Sequence, residues 1–258
     1  MRTIKTKVFL FYLFFLTSLL FAITPGEKLR FSLQYEFIVA GRATLQVSET
    51  TYKSDLTGSE YEVYQIKSTA KTNDFFDVIH KVRDELISTW DKNRQISLRF
   101  DKSLREGFYK QRRIHWFYPE MDSTKYQSYS FKQKKFNEPR MFPIEKQTQD
   151  ILSSFYYTRE QDLNKNKELF INITTDKNNY IAKVIVHKKV KIKTIFGKKT
   201  ECLVIEPILA GDAIFKQTGK ILIWVTNDEK KIPVLLKSKF IIGSFKAVLR
   251  EIEYVEAE

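Results

Sequence analysis

Apolar and polar side chains alternate along most of the chain, and this period of two constrains its fold more than any other feature. Every second residue from Phe31 to Val39 is apolar, and lysine holds every second position from Lys189 to Lys193. Because successive side chains of a β-strand point to opposite faces, such alternation predicts strands with one buried face. Further strands are predicted over 43–50, 60–69, 81–90, 95–105, 108–118, 125–132, 168–175, 179–188, 200–207, 218–226, 232–240 and 243–254.

Short polar or glycine-containing segments separate these strands and predict tight turns. Ala40–Arg42 separates the first two strands, and Asp91–Arg94, Asp176–Asn179 and Asn227–Lys230 separate later ones. Strands joined by short turns pair antiparallel. The chain is therefore predicted to be all-β, with an antiparallel sheet that is strongly curved or that forms a closed or partly open β-barrel, since closure removes exposed edges.

One segment has the period of a helix instead. Between residues 148 and 159, apolar side chains from Ile151 to Tyr156 follow helical spacing, and Asp150 stands near the start, where a carboxylate suits the helix dipole. We predict one short helix here, capped by Asp150 and packed on the sheet or closing one end of a barrel. No internal repeat or low-complexity linker is visible, so residues 24–258 are predicted to form a single all-β domain.

The first 23 residues have the pattern of a secretory signal peptide. Three basic residues precede an apolar block of 16 residues, Val8–Ile23, and small Ala22 offers a cleavage site. Residues 1–23 are therefore predicted to be removed, so that the mature chain begins near Thr24 and works in the periplasm or outside the cell. The alternative is that the segment stays as a membrane anchor, although a full span needs about 20 residues.

The residue types that usually carry catalysis or bind metals are few. His80, His115 and His187 lack the spacing of metal ligands, and a chain with Cys202 as its single cysteine cannot form a thiolate zinc site of the usual type. Cys202 lies in an apolar run, which predicts a buried, unreactive thiol. We find no catalytic, cofactor-binding or metal-binding pattern and expect a non-enzymatic protein without a cofactor.

An excess of positive charge indicates anionic partners. The net charge is +13 at pH 7, and three of these charges lie in the predicted signal peptide. Lys189, Lys191 and Lys193 would project from one face of a strand, where they could hold the anionic head groups of envelope lipids. The alternative is a solvated strand face whose lysines protect a sheet edge. Nucleic acid is not expected as a partner, because the protein is predicted to be exported.

Aromatic residues could either line an apolar pocket or fill an ordinary core. Several of them crowd the region around Trp116, and Trp224 stands in an apolar strand between Ile223 and Val225, which predicts a core or barrel-wall position. The candidate ligand-binding residues are therefore Trp116 and Trp224, together with Lys189, Lys191 and Lys193.

Eight segments in a fixed order carry a family resemblance that covers nearly the whole predicted mature chain. They are Leu33–Gly41, Val82–Asp91, Asp150–Arg159, Val190–Gly197, Cys202–Pro207, Gly219–Asp228, Ile232–Val234 and Gly243–Ser244. This succession resembles the bacterial exported family called domain of unknown function 3108. The resemblance implies an all-β exported protein without an established biochemical activity, and it supplies no catalytic set.

Two functions from different classes fit these observations. The first is an exported, non-enzymatic protein of the cell envelope that binds an apolar or lipid-like ligand inside the curved sheet. The second is a structural or interaction protein that assembles with other envelope proteins and holds no small molecule. A cavity inside the sheet would favour the first function, and a tightly filled interior would favour the second.

Overall fold

The computed structural model describes residues 22–209, 220–240 and 243–255. Residues 1–21, which hold most of the predicted signal peptide, lie outside the described residues. The strands of the described part are β1 Glu27–Tyr35, β2 Ile38–Lys53, β3 Glu60–Thr72, β4 Arg83–Asp91, β5 Ser97–Glu106, β6 Tyr109–Tyr118, β7 Ser123–Ser130, β8 Lys135–Phe136, β9 Arg140–Pro143, β10 Glu168–Thr175, β11 Asn178–Thr194, β12 Gly197–Leu209, β13 Ile221–Thr226, β14 Pro233–Phe240 and β15 Gly243–Tyr254. Its α-helices are α1 Asp74–His80 and α2 Ser153–Glu160, and a 3-10 turn covers Pro119–Met121.

All of these strands belong to one antiparallel arrangement, which confirms the predicted fold class. The order across the sheet is β10-β11-β12-β13-β14-β15-β1-β2-β3-β4-β5-β6-β7-β8, and β9 pairs with β7. Most neighbours are consecutive in sequence, as expected for strands joined by short turns. Besides the pairing of β9 with β7, the exception is the pairing of β15 with β1, where Tyr254 lies opposite Glu27 and Phe245 lies opposite Tyr35. This pairing joins the two halves of the chain into one sheet.

The sheet curls until its β10 edge returns to the strands near its other edge. Asp176, directly after β10, forms an ion pair with Arg113 of β6. The side-chain amide of Asn179 in β11 donates a hydrogen bond to the carbonyl oxygen of Pro143 in β9 at 2.9 Å. Among the described strands β10 does not pair with β8. The sheet is therefore strongly curved but not closed, so the closed barrel that the sequence also allowed is wrong.

Helix α2 packs on the sheet between two clusters of buried side chains. The first cluster comprises Ile23, Val47, Tyr64, Ile66, Trp90, Phe100, Phe117, Ile144, Leu152 and Tyr156. The second comprises Leu163, Ile171, Ile173, Ala182, Val184, Val186, Leu203, Ile205, Leu209 and Val225. Phe155 and Tyr157 of α2 pack against both clusters. The predicted position of this helix on the sheet is confirmed.

The first turn lies earlier than the sequence predicted. The chain reverses at Glu36 and Phe37, and the alternation that suggested one strand up to Val39 belongs to two strands. Gly41, which was predicted to form the turn, lies inside β2 next to a register shift of the β1–β2 pair. A Cβ atom at Gly41 would collide with the carbonyl oxygen of Lys71, so close approach of two backbones explains this glycine.

The structure contains a second helix, so the prediction of one helix is wrong. Helix α1 has seven residues, too few to produce a recognisable period in the sequence. Its start is nevertheless encoded locally, because the Asn73 side chain accepts a hydrogen bond from the N–H group of Phe76 at 3.0 Å, as expected of an N-cap. Asp74 and Asp77 occupy its first turn, where negative charge stabilises a helix.

Candidate functional site

A cavity of about 420 Å³ lies between α2 and the curved sheet, and it is the candidate functional site. Strands β1–β3 form one wall, strands β10–β15 form the other, and α2 covers them. The lining residues are Phe31, Ala43, Thr44, Leu45, Ser68, Ile151, Leu152, Ser154, Phe155, Thr158, Ile171, Ile173, Ala182, Val184, Ile205, Pro207, Ile208, Leu209, Ile221, Ile223, Pro233, Leu236 and Ala247.

The period of two in the strands produces this lining. Ala182 and Val184 of β11 face the cavity, as do Ile221 and Ile223 of β13, because every second side chain of a strand points to the same face. Among the described residues, the lining includes no charged side chain, and its polar side chains are all hydroxyls. Such a wall can exclude water and pack against an apolar molecule, but it cannot neutralise a charge inside the cavity.

Some of these hydroxyls already have protein partners. Thr158 donates a hydrogen bond to the carbonyl oxygen of Ser154 at 2.8 Å, and Ser154 donates to the carbonyl oxygen of Ile151 at 2.9 Å. Both bonds stay within the α2 region, so these residues present mainly their carbon atoms to the cavity. The site therefore has the chemistry of an apolar pocket with little capacity for polar recognition.

Helix α2 begins at Ser153 and its N-cap residue is Leu152, so the prediction that Asp150 is the cap is wrong. The buried carboxylate of Asp150 nevertheless binds backbone N–H groups at this start. Asp150 Oδ1 accepts the N–H groups of Leu152 and Ser153 at 2.8 and 2.9 Å. Its Oδ2 accepts hydrogen bonds from Ser88 of β4 at 2.6 Å and Ser97 of β5 at 2.8 Å. Burial raises the pKa of Asp150, against the opposing effect of these hydrogen bonds. One side chain thus ties the start of the helix to the sheet.

The end of α2 is held by a buried ion pair. Arg159 Nη1 and Nη2 lie 2.7 and 2.9 Å from the two carboxylate oxygens of Glu27 in β1. The same guanidinium donates to the carbonyl oxygens of Ala22 at 3.0 Å and of Lys230 at 2.9 Å. It lies 5.1 Å from the ring centroid of Tyr156. Arg159 therefore joins the end of α2 to β1 and to the β13–β14 turn.

The family model for "Protein of unknown function (DUF3108)" matches residues 30–250 of this chain. The chain belongs to this family. The match spans β1 to β15 and includes the strands and the helix that line the cavity. It confirms the resemblance found in the sequence.

Two further comparisons concern individual proteins. No curated protein matches this DUF3108 chain. The chain is similar in structure to a crystal structure described as a beta-barrel-like protein of the domain of unknown function DUF1849 from Brucella abortus, with a TM-score of 0.57 and 10% sequence identity. The alignment covers 90% of this chain and 98% of the Brucella chain. At this identity the likeness supports the fold alone, and it agrees with a curved, barrel-like sheet.

In this DUF3108 protein, the predicted ligand-binding lysines lie outside the cavity. Lys189, Lys191 and Lys193 are exposed on β11, while the intervening Val190 and Ile192 pack against the cluster around Leu29, Phe31, Cys202, Ile232, Val234 and Leu249. The alternation predicted from the sequence is therefore present, with the lysines on the solvated side. None of the three lysines is a lining residue.

The two candidate tryptophans also lie outside the cavity, on strands that are far apart in the sheet. Trp116 of β6 is partly buried, with Lys125 Nζ 4.4 Å and the Arg99 guanidinium carbon 5.2 Å from its ring centroid. Trp224 of β13 is partly buried and contacts the Leu29 cluster, while its neighbour Ile223 faces the cavity. Lys237 Nζ lies 5.1 Å from the Trp224 ring centroid.

Sequence reasoning missed the residues that line the cavity, because nothing local distinguishes them from a filled core. It correctly predicted the state of Cys202, which is buried and whose thiol pKa is raised by burial to about 11. No group of three or more His, Cys, Asp or Glu side chains in the described ranges is placed to hold a metal ion. Over the same residues, no helix is long and apolar enough to span a bilayer.

Proposed function

We propose that the protein is an exported, non-enzymatic component of the bacterial cell envelope that holds an apolar ligand, such as the acyl chain of a lipid, between α2 and the curved sheet. The observation that carries the proposal is the cavity of about 420 Å³. This volume lies within the range of about 300–1,000 Å³ that is typical of small-molecule sites. The alternative, an envelope assembly protein without a ligand, would be expected to fill its own interior.

The chemistry of the lining supports an apolar occupant over ordered water. A buried water molecule needs about two to four polar partners, whereas the walls around Ile171, Val184 and Ile223 present methyl and methylene groups. An apolar molecule in contact with these walls would recover the dispersion contacts that the lining side chains otherwise lack. The proposal does not need a charged residue inside the site, so an anionic or polar head group would remain at the surface.

Export is part of the proposal and rests on the signal-peptide pattern. Ala22 and Ile23 are buried; the carbonyl oxygen of Ala22 accepts a hydrogen bond from Arg159, and the N–H group of Ile23 donates to Glu160 Oε1 at 3.0 Å. Cleavage after Ala22 would remove the first of these contacts and keep the second. N-terminal sequencing of protein from the envelope fraction should give a start close to Thr24, and an intact Met1 would favour the anchor alternative.

Ligand binding can be tested with variants that fill the cavity. Ala182→Phe and Ala247→Phe each place a ring into the cavity from a different strand. Both variants should weaken the binding of an apolar fluorescent probe to delipidated protein, and fatty acid or phospholipid should displace the probe from the wild type. Ile181→Phe is the matched control, because Ile181 is exposed on the opposite face of β11 from Ala182.

The carrier proposal requires that the control keeps wild-type probe binding while the two cavity variants lose it. Mass spectrometry of the native protein should also find a co-purified apolar molecule. If folded wild-type protein neither binds the probe nor carries such a molecule, the carrier proposal fails and the envelope-assembly alternative replaces it.

A further inference from the structure

Three connections at one end of the sheet present large apolar side chains to solvent. We call this set of residues the apolar rim: Phe37, Ile38, Val39, Phe75, Val78, Ile79, Phe108 and Tyr109. They lie in the β1–β2 turn and the first two residues of β2, in α1 between β3 and β4, and in the β5–β6 turn and the first residue of β6. In an antiparallel sheet of consecutive strands, alternate connections lie at the same end, so the rim forms one continuous feature.

Hydrogen bonds hold the three connections next to one another. The backbone N–H group of Asn73 donates to the carbonyl oxygen of Ala40 at 2.9 Å, and its side-chain amide donates to that of Val39 at 2.7 Å. The N–H group of Gly107 donates to the carbonyl oxygen of Lys81, directly after α1, at 2.8 Å. The β1–β2 turn, α1 and the β5–β6 turn are thus arranged as a unit.

The exposure of these side chains is far greater than that of scattered surface residues. Phe37 is 91% exposed, Val78 is 88% exposed and Phe108 reaches 107%, the value of a fully extended side chain. Helix α1 has no buried residue, and its Asp77 turns toward Arg83 of β4 in an ion pair. The helix therefore presents its apolar side chains to solvent, the reverse of a surface helix of a soluble protein.

Unpaired positive charge surrounds the rim. Arg42 lies opposite Lys71 across β2 and β3, and Arg105 lies opposite Lys110 on either side of Phe108. Like charges directly opposite one another destabilise a sheet. None of these four side chains forms an ion pair with another described residue, as the described ion pairs show. The fold therefore keeps two repulsive cationic pairs beside its most exposed apolar residues.

A further like-charge pair elsewhere in the sheet shows the contrast. Lys102 and Arg113 also lie opposite each other in β5 and β6. Both are paired with one carboxylate, because Asp176 forms ion pairs with the two side chains. The cations of the rim lack such a shared acid, which leaves them available to an anion outside the chain.

Acidic residues also lie at this end of the sheet, but none of them forms an ion pair with these four cations in the described part of the chain. Asp77 is committed to Arg83, and the carboxylates of Glu36 and Asp84 accept backbone N–H groups at 2.6 and 2.9 Å. Burial raises the pKa of Glu106, with a further contribution from its neighbour Asp84. The exposed Asp74 in the first turn of α1 is the remaining acid of this group.

We propose that the apolar rim docks on the surface of an anionic lipid bilayer. Its apolar side chains would enter the boundary between head groups and acyl chains, and the flanking Arg and Lys side chains would meet the lipid phosphates. Three separate projections suit a fluid bilayer, which can close around each of them, better than a rigid protein surface that would have to match all three. The rim is distinct from the cavity, so the proposal stands whether or not the cavity binds a ligand.

An environment-sensitive fluorophore attached to the rim tests this proposal. Phe108→Cys offers a fully exposed thiol for labelling, and the native Cys202 is buried and will not compete. Asn93→Cys is the matched control, since Asn93 is exposed in the β4–β5 turn at the opposite end of the same strands. The full-length labelled proteins are mixed with phosphatidylcholine vesicles, with or without phosphatidylglycerol.

The Phe108 label should shift to the blue on anionic vesicles and should be quenched by lipids that carry a spin label in the acyl chain. The Asn93 label should do neither, even if another part of the chain also binds the vesicle. Arg105→Gln and Lys110→Gln should each weaken partitioning about fivefold at low salt, the equivalent of about 1 kcal/mol per basic residue. Neither substitution should lower stability, because each removes a repulsive neighbour.

Two results would overturn the proposal. The first is a Phe108 label that stays in a water-like environment on anionic vesicles. The second is a Phe108 label that is already shielded without vesicles in protein that sediments as a dimer, which would mean that a second copy of the chain covers the rim.

Discussion

Replacement of Arg159 by methionine should destabilise the protein more than any other single change to an ion pair in the described structure. Both partners are almost fully buried, with side-chain exposures of 1% for Arg159 and 0% for Glu27. The substitution keeps much of the side-chain volume but removes the two bonds to Glu27. It also leaves the carbonyl oxygens of Ala22 and Lys230 without the guanidinium donor.

The magnitude follows from the carboxylate that remains. Glu27 would keep its burial but lose its counter-ion, and removal of one partner of a buried pair costs about 3–5 kcal/mol. For a chain of 150–250 residues, each kcal/mol lowers Tm by about 2–4 °C, so we expect a decrease of about 6–20 °C. Urea denaturation followed by tryptophan fluorescence and by circular dichroism should show the loss as a lower midpoint with an unchanged slope.

Two further variants separate the buried charge from general damage. The double variant Glu27→Leu with Arg159→Met replaces the pair by apolar side chains and should be more stable than Arg159→Met alone, because no unpaired charge remains. Arg30→Met is the control, since Arg30 pairs with Glu253 at the solvent-exposed surface and should change the midpoint little. The reasoning is refuted if Arg159→Met unfolds at the wild-type midpoint. It is also refuted if the stability losses of Glu27→Leu alone and Arg159→Met alone add up to the loss of the double variant.

The remaining predictions concern three other positions. Burial lowers the pKa of His115 to about 4. In the unfolded chain a histidine has a pKa of about 6.5, so the unfolded state takes up a proton first as the pH falls. The free energy of unfolding should therefore decrease by up to about 3 kcal/mol between pH 6.5 and pH 4. His115→Leu should remove that part of the pH dependence, measured by denaturation at each pH. Gly41→Ala should destabilise the protein by about 1–3 kcal/mol, because the new Cβ would meet the Lys71 carbonyl oxygen. A smaller loss of stability in thermal unfolding would contradict this prediction. Trp90→Ala should destabilise the protein by about 3–5 kcal/mol, and Trp224→Ala by clearly less, because Trp90 is buried and Trp224 is only half-buried. Equal losses of stability in urea denaturation would contradict this prediction.

Particular elements show how far local sequence patterns could predict the fold. The strand predicted over 168–175 coincides with β10, and that over 243–254 coincides with β15. The turn at Glu36 was missed because alternation continues on both sides of a hairpin, and because Glu36 adopts a positive φ of 50° without being a glycine. Helix α1 was missed because seven residues show too little of a 3.6-residue period.

The candidate site was harder to predict than the fold. Val184 lies in the strand predicted over 179–188 and lines the cavity, but alternation could not show whether the opposing wall touches such residues. The aromatic and lysine patterns drew attention to Trp116 and Lys191, and neither lines the cavity. The exposed apolar side chains of the rim also look like ordinary strand and helix positions in the sequence.

The sequence by itself determined the all-β class, most strand positions, the antiparallel pairing and the family, because these depend on local side-chain period, turn chemistry and residue order. The tertiary structure alone decided that β15 pairs with β1, that the sheet curls without closing, and that a cavity remains under α2. These features depend on contacts between residues far apart in the chain, such as Glu27 with Arg159 and Arg113 with Asp176. A cavity is the space that such contacts leave between elements, and no local stretch of sequence contains that information.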